Sequence, residues 1–148
     1  MDHEATVIEV PAQWASIAAL LNFVDGLEQT LALPDDQAYL VRLVVEEFAT
    51  NIVKYSYEQH KHGIIQLSCT CDDNELRVII RDHGQPFDPN HCPEPDLSGD
   101  VENRSVGGLG VFLVREMCDV LTYHHDRASG WNELVVIKKR QERTDGSA

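Results

Sequence analysis

Glu47, Asn51 and Lys54 set an acid, an amide and an amine at helical spacing within Val41-Arg42-Leu43-Val44-Val45-Glu46-Glu47-Phe48-Ala49-Thr50-Asn51-Ile52-Val53-Lys54-Tyr55. At roughly 100° per residue, Val41, Val44, Val45, Phe48, Ile52 and Tyr55 share one apolar face, as a core-packed helix requires. Beside that face run Leu40, Leu43, Glu47, Asn51 and Lys54, a stripe that begins apolar and turns polar. Glu46 falls on the solvent side with Arg42 and Val53, so Glu47 is the glutamate aimed at a pocket. Such a trio can ligate a hard cation, take a proton and offset anionic charge. It can equally be a solvated helix edge whose amide bonds a neighbouring loop.

Two more features carry chemistry. Leu76, Val78, Ile80 and Asp82 alternate along one strand, so a carboxylate ends a row of core-facing side chains, either as a ligand or as a turn former. Downstream, Gly107-Gly108-Leu109-Gly110 opens the helical pattern Val111-Phe112-Leu113-Val114-Arg115-Glu116-Met117. Glycines at a helix start let backbone N–H groups approach phosphate oxygens, with the helix dipole assisting; a flexible hinge is the other reading.

The elements that must hold these residues follow from patterning. Thr6 to Val10 reads as a strand. Pro11 suits the first turn of a helix at about 13–31, with Trp14, Ile17, Leu21 and Val24 as its core stripe. Leu33-Pro34-Asp35-Asp36 stops that helix and starts the central one at about 35–57, with an Asp as cap. Ile64 to Cys71 alternates, Asp72-Asp73-Asn74 turns, and Glu75 to Asp82 returns, which predicts a hairpin. The stretch from Asn90 to Val106 is polar and aperiodic, and reads as a lid. Asp119 to Tyr123 and Leu134 to Lys139 are two further strands around a turn at Ala128-Ser129-Gly130. Residues 1–140 form one expected domain, and 141–148 a charged tail.

The 148 residues carry 12 basic and 25 acidic side chains, a formal charge of −13. That balance repels nucleic acid and anionic membranes, so any bound nucleotide needs local groups and a metal. No apolar run approaches the roughly 18 residues of a membrane span and no signal peptide is evident, so a cytoplasmic protein is expected. Cys69, Cys71, Cys92 and Cys118 lack metal or disulfide spacing, as do His91-Cys92 and His124-His125.

In their fixed order, Glu47-x-x-x-Asn51-x-x-Lys54-Tyr55, Asp82-x-Gly84, a variable lid and Gly108-x-Gly110 resemble the ATP-binding signature of the Bergerat-fold superfamily. Gyrase, the heat-shock protein 90 chaperones, histidine kinases and the MutL proteins belong to it. Gln85-Pro86-Phe87-Asp88-Pro89 and the short length look most like the bacterial anti-sigma-factor serine/threonine kinases. Pro86 replaces the second glycine of many members, and Tyr55 stands where that branch often has His.

The resemblance implies an α/β (α+β) two-layer sandwich, a mostly antiparallel mixed sheet backed by three helices at about 13–31, 35–57 and 109–119. It implies ATP and Mg²⁺, with Asn51 as the metal ligand, Glu47 as general base and Asp82 accepting from the adenine amine. Gly84 and Pro86 would border the base, Gly108, Leu109 and Gly110 the phosphates, and Lys54 would offset their charge. The implied partners are a small antagonist protein with a Ser or Thr acceptor and a sigma factor, with a homodimeric kinase and no direct contact to nucleic acid or membrane. Two alternatives stand beside it: an ATP-dependent partner-binding switch without transfer, and a detached histidine-kinase catalytic domain.

Overall fold

A computed structural model describes residues 6–57, 63–89 and 109–140. The expected lid, Gly107 and Gly108, the pair His91-Cys92 and the tail lie outside the described residues. The chain runs β1 (Thr6–Pro11), α1 (Trp14–Thr30), α2 (Asp35–Val44), β2 (Ile64–Cys71), β3 (Glu75–Asp82), α3 (Leu109–Met117), β4 (Val120–His125) and β5 (Asn132–Lys139). Five strands form one sheet in the order β1-β2-β3-β5-β4, every neighbouring pair antiparallel. The mixed character expected of the sheet is thus absent from the described strands. The helices pack on one face, giving the two-layer α/β sandwich.

Alternation decides which face that is. Ile65, Leu67, Cys69 and Cys71 of β2 and Leu76, Val78 and Ile80 of β3 are buried, as are Leu134 and Val136 of β5. They meet Leu40, Val41, Val44, Val45, Phe48, Ala49 and Ile52 of the central helix. The hairpin turn is locked by Asp72, whose Oδ1 accepts the Asn74 and Glu75 N–H groups at 2.7 and 2.8 Å. An Asx turn of this kind fixes the β2–β3 register. No described helix is long and apolar enough to cross a membrane.

Three local expectations shift. Pro11 ends edge strand β1, where a missing N–H is harmless, and α1 starts at Trp14. Its buried stripe is Ser16, Leu20, Val24 and Leu27, with Ile17 and Leu21 partly buried beside it and Trp14 58% exposed. Helix α2 has Pro34 at its N-cap and no side-chain cap, so Asp35 and Asp36 act on the helix dipole instead.

The central helix holds the most consequential shift. Beyond Val44 it widens into two π-helical turns, Val45–Ala49 and Ile52–Ser56. Between them Thr50 Oγ1 donates to the carbonyls of Glu46 and Glu47, drawing acceptors away from the regular ladder. Phe48 and Ile52 keep their expected places on the core face, which slips by one residue within the second wide turn. Ser56 takes the buried place expected of Tyr55, which is 53% exposed and stacks on Phe87 with ring centroids 5.8 Å apart.

Candidate nucleotide site

Helix, sheet and loop meet around a cleft of about 360 Å³ that opens to solvent. The π-helical stretch contributes Phe48, Asn51, Ile52 and Ser56 to its wall, and the sheet contributes Ile80, Asp82, Tyr123 and Leu134. Phe87 and Pro89 close one side from the loop after β3. Its mostly apolar wall, broken by a few polar groups, is that of a small-molecule site.

Asp82 is 5% exposed at the end of β3. Its Oδ2 accepts the Gly84 N–H at 2.8 Å and the Asn132 amide at 3.2 Å. Burial pushes its pKa up, and those two donors with His83 and His125 pull it back. Its bonds to Gly84 and Asn132 both fall on Oδ2, and Asp82 lines the cleft. Gly84 is needed for a steric reason: a Cβ there would overlap the Ser56 carbonyl oxygen and lie 2.7 Å from its carbon. The Gln85 N–H bonds that same carbonyl, tying the loop to the end of the helix. We expect Gly84→Ala to lower stability by roughly 1–3 kcal/mol, the usual cost of overpacking against a backbone that cannot yield. Denaturant unfolding measures it, and an unchanged midpoint would show that loop and helix separate freely.

Tyr57 makes the second tie. Its hydroxyl accepts the His83 N–H at 2.8 Å and donates to the Ile64 carbonyl at 2.9 Å, joining the helix end to β2 and β3. Tyr123 accepts the Phe87 N–H at 3.0 Å and holds the loop wall. The Arg115 guanidinium donates to the Pro89 carbonyl at 2.6 Å from α3.

Glu47 lies outside the cleft wall, half-buried against the first turn of α3. A Cβ on Gly110 would overlap its carboxylate, so that glycine is what admits the acid. Burial raises the Glu47 pKa, opposed by a hydrogen bond from Asn51 and by the charge of Lys54. Lys54 is exposed, its Nζ 5.7 Å from the Tyr55 ring centroid.

The structure therefore brings Asn51 and Asp82 to one cleft, with Gly84 packed behind its wall against Ser56 and with Glu47 and Gly110 together off the wall. Pro86 and Leu109 are exposed and do not line the wall; Gly108 lies outside the described residues. Tyr57, Tyr123, Phe87 and Asn132 were not among the expected site residues. Tyr123 carried a usable signal, since it shares parity with core-facing Leu121 on β4.

A family model for the histidine kinase-like ATPase domain matches residues 10–138. The chain belongs to that family. Relatives include the serine-protein kinase RsbW of Staphylococcus epidermidis, 28% identical over 144 residues that cover 94% of this chain and 91% of that protein. The RsbW proteins of Bacillus thuringiensis (strain Al Hakam) and Bacillus cereus (strain 03BB102) are each 24% identical over 148 residues, covering 97% of this chain and 92% of theirs. As a histidine kinase-like ATPase domain, the chain is an ATP-binding fold related to serine-protein kinases. The cleft between the central helix and the end of β3 is its candidate nucleotide site.

Proposed function

We propose that this protein is an anti-sigma-factor-type serine/threonine kinase that transfers the γ-phosphoryl group of ATP to a small antagonist protein and sequesters a sigma factor. The observation that carries the proposal is the convergence of Asn51 and Asp82 on one cleft, with Glu47 half-buried one helical turn before Asn51 and against Gly110.

Each group fits a part of the nucleotide. Asp82 is an acceptor on a mostly apolar wall, which suits a base edge that presents an amine and disfavours one that presents a carbonyl. Asn51 offers a hard amide oxygen for Mg²⁺. Among the described residues no group of three or more His, Cys, Asp or Glu could hold a metal, so phosphates and water would complete the coordination. Bound Mg²⁺ would neutralise phosphate charge as the phosphoryl group moves. Glu47, with its raised pKa, would take the acceptor hydroxyl proton, while Lys54 would offset phosphate charge and Gly110 would give the backbone of α3 close access. In this reading Gly84 would leave room at the base end and Leu109 with Gly110 would open α3 on the phosphate side, while Pro86 lies off the wall. A homodimer and a cytoplasmic setting complete the proposal, with the acidic surface suited to a basic partner.

The position of Glu47, off the cleft wall, favours a second reading. Here ATP orders a partner-binding surface, and Glu47 only orients Asn51. A detached histidine-kinase domain is the third.

Calorimetric titration of ATP and ADP, with and without Mg²⁺, tests the site. Magnesium-dependent binding supports it, and absence of binding overturns the assignment of the cleft. Phosphate chemistry on a co-expressed small partner separates the readings. Acid-stable phosphoserine or phosphothreonine supports the kinase, acid-labile phosphate the histidine-kinase reading, and nucleotide binding without transfer the switch.

A further inference from the structure

One row of side chains crosses three strands behind the base end of the cleft. Asn132, at the start of β5, stands opposite Asp82 in the β3–β5 ladder and opposite His125 in the β4–β5 ladder. It is only 1% exposed. A buried asparagine on a strand is unusual, because strands disfavour it and its amide must find partners without water.

Its partners are all present. The Asn132 amide nitrogen donates to Asp82 Oδ2 at 3.2 Å and to the Gly84 carbonyl at 2.8 Å. The amide oxygen lies 2.6 Å from His125 Nδ1. A carboxylate and a peptide carbonyl only accept, so the group facing them must be the NH₂ and the group facing His125 must be the oxygen. That oxygen only accepts in turn, so Nδ1 carries the hydrogen. The Gly84 carbonyl alone fixes the direction of the amide, and the NH₂ it turns inward meets Asp82 as a donor, which favours the ionised carboxylate there.

We propose that Asn132, held by His125, is a positioning residue that fixes Asp82 as a pure acceptor and thereby sets the cleft's preference for 6-amino over 6-oxo purines. This rests on the reading of Asp82 as the group that meets the base. With Oδ2 occupied by Asn132 and Gly84, Oδ1 would present its lone pair to the base. Remove the Asn132 donor, and the buried carboxyl gains by taking a proton. A protonated Asp82 can donate to a carbonyl at the purine 6-position, so discrimination against a 6-oxo base falls. His125 acts one step further back: without it the amide oxygen loses its donor, and the side chain is free to turn over.

The test compares binding of ATP and inosine triphosphate, each with Mg²⁺, to wild type, Asn132→Leu, Asn132→Ser, His125→Leu and Asp82→Asn. Wild type should prefer ATP. Asn132→Leu should narrow the preference by about tenfold or more, the scale of one hydrogen bond to a charged group. Asn132→Ser, which keeps one donor, should recover part of it, and His125→Leu should narrow it less. A folded Asn132→Leu with an unchanged ATP-to-inosine-triphosphate ratio overturns the proposal. If that variant does not fold, an unchanged ratio in His125→Leu overturns it instead. Failure of the underlying reading looks different: wild type would not discriminate, or Asp82→Asn would keep the wild-type ratio. Nitrogen-15 spectra of the histidine rings give a readout without nucleotide. The Nδ1–H tautomer at His125 is expected, and an Nε2–H tautomer overturns the row.

Discussion

With Glu47 as the proposed general base, Glu47→Gln is expected to slow phosphoryl transfer by about 10²–10⁴-fold while ATP affinity stays within a few-fold of wild type. The amide keeps the volume of the acid and can still hydrogen-bond Asn51, so the space between the central helix and Gly110 stays filled. Only the proton acceptor is lost. Single-turnover transfer to the antagonist protein and a parallel ATP titration measure the two quantities. Transfer at the wild-type rate would remove Glu47 from the chemistry.

The pH dependence of the wild type sharpens the same prediction. Burial raises the Glu47 pKa, with Asn51 and Lys54 opposing it. The base form is therefore lost on acidification at a higher pH than for an ordinary glutamate. The acid limb of the rate profile should sit correspondingly high and disappear in Glu47→Gln. A limb that persists unchanged in the variant belongs to another group.

Asp82→Asn produces the second large effect, on affinity. In the proposed site, replacing this carboxylate would remove the acceptor for the amine of the base, in a position shielded from water. Losing a hydrogen bond to a charged group there costs about 1.5–3 kcal/mol, or roughly 10- to 150-fold in ATP affinity. Calorimetry with ATP reads this directly, and affinity within twofold of wild type would mean that the base lies elsewhere.

Stability should move the other way. A carboxyl whose pKa is raised on folding binds its proton more tightly in the native state. Its ionisation subtracts stability as pH rises through the folded pKa, and acidification restores it. Burial is the leading cause of the raised Asp82 pKa. Apo Asp82→Asn should therefore unfold at or above the wild-type temperature near neutral pH, with a flatter pH dependence. A cleft that binds ATP well by holding a buried charge is a case of function carried at some expense of stability.

Much of this was readable in the chain itself. The hairpin Ile64–Cys71 and Glu75–Asp82 follows from alternation around an Asp-Asp-Asn turn, because side chains on a strand repeat every two residues and only one face meets the helices. Asn51 and Asp82 each stood out as a polar group at a core edge, and the order of the motifs, in its resemblance to the Bergerat-fold signature, joined them in one site. The lid and Gly108 fall outside the described residues.

Other features depend on contacts between distant segments. The slip from Tyr55 to Ser56 arises in the second of two wide helical turns, and a fixed 3.6-residue period cannot anticipate a local change of period. Gly110 was legible as a glycine before a helix, but its neighbour, the Glu47 carboxylate, is supplied by packing. Asn132 was hidden most completely. Its strand was expected to begin at Leu134, and its meaning comes from strands β3 and β4 lying on either side of it. The sequence determined which residue types stand at each position and which local periods they follow. The sheet order β3-β5-β4 decided which of them touch, since hydrogen bonds across strands join residues that no local pattern relates.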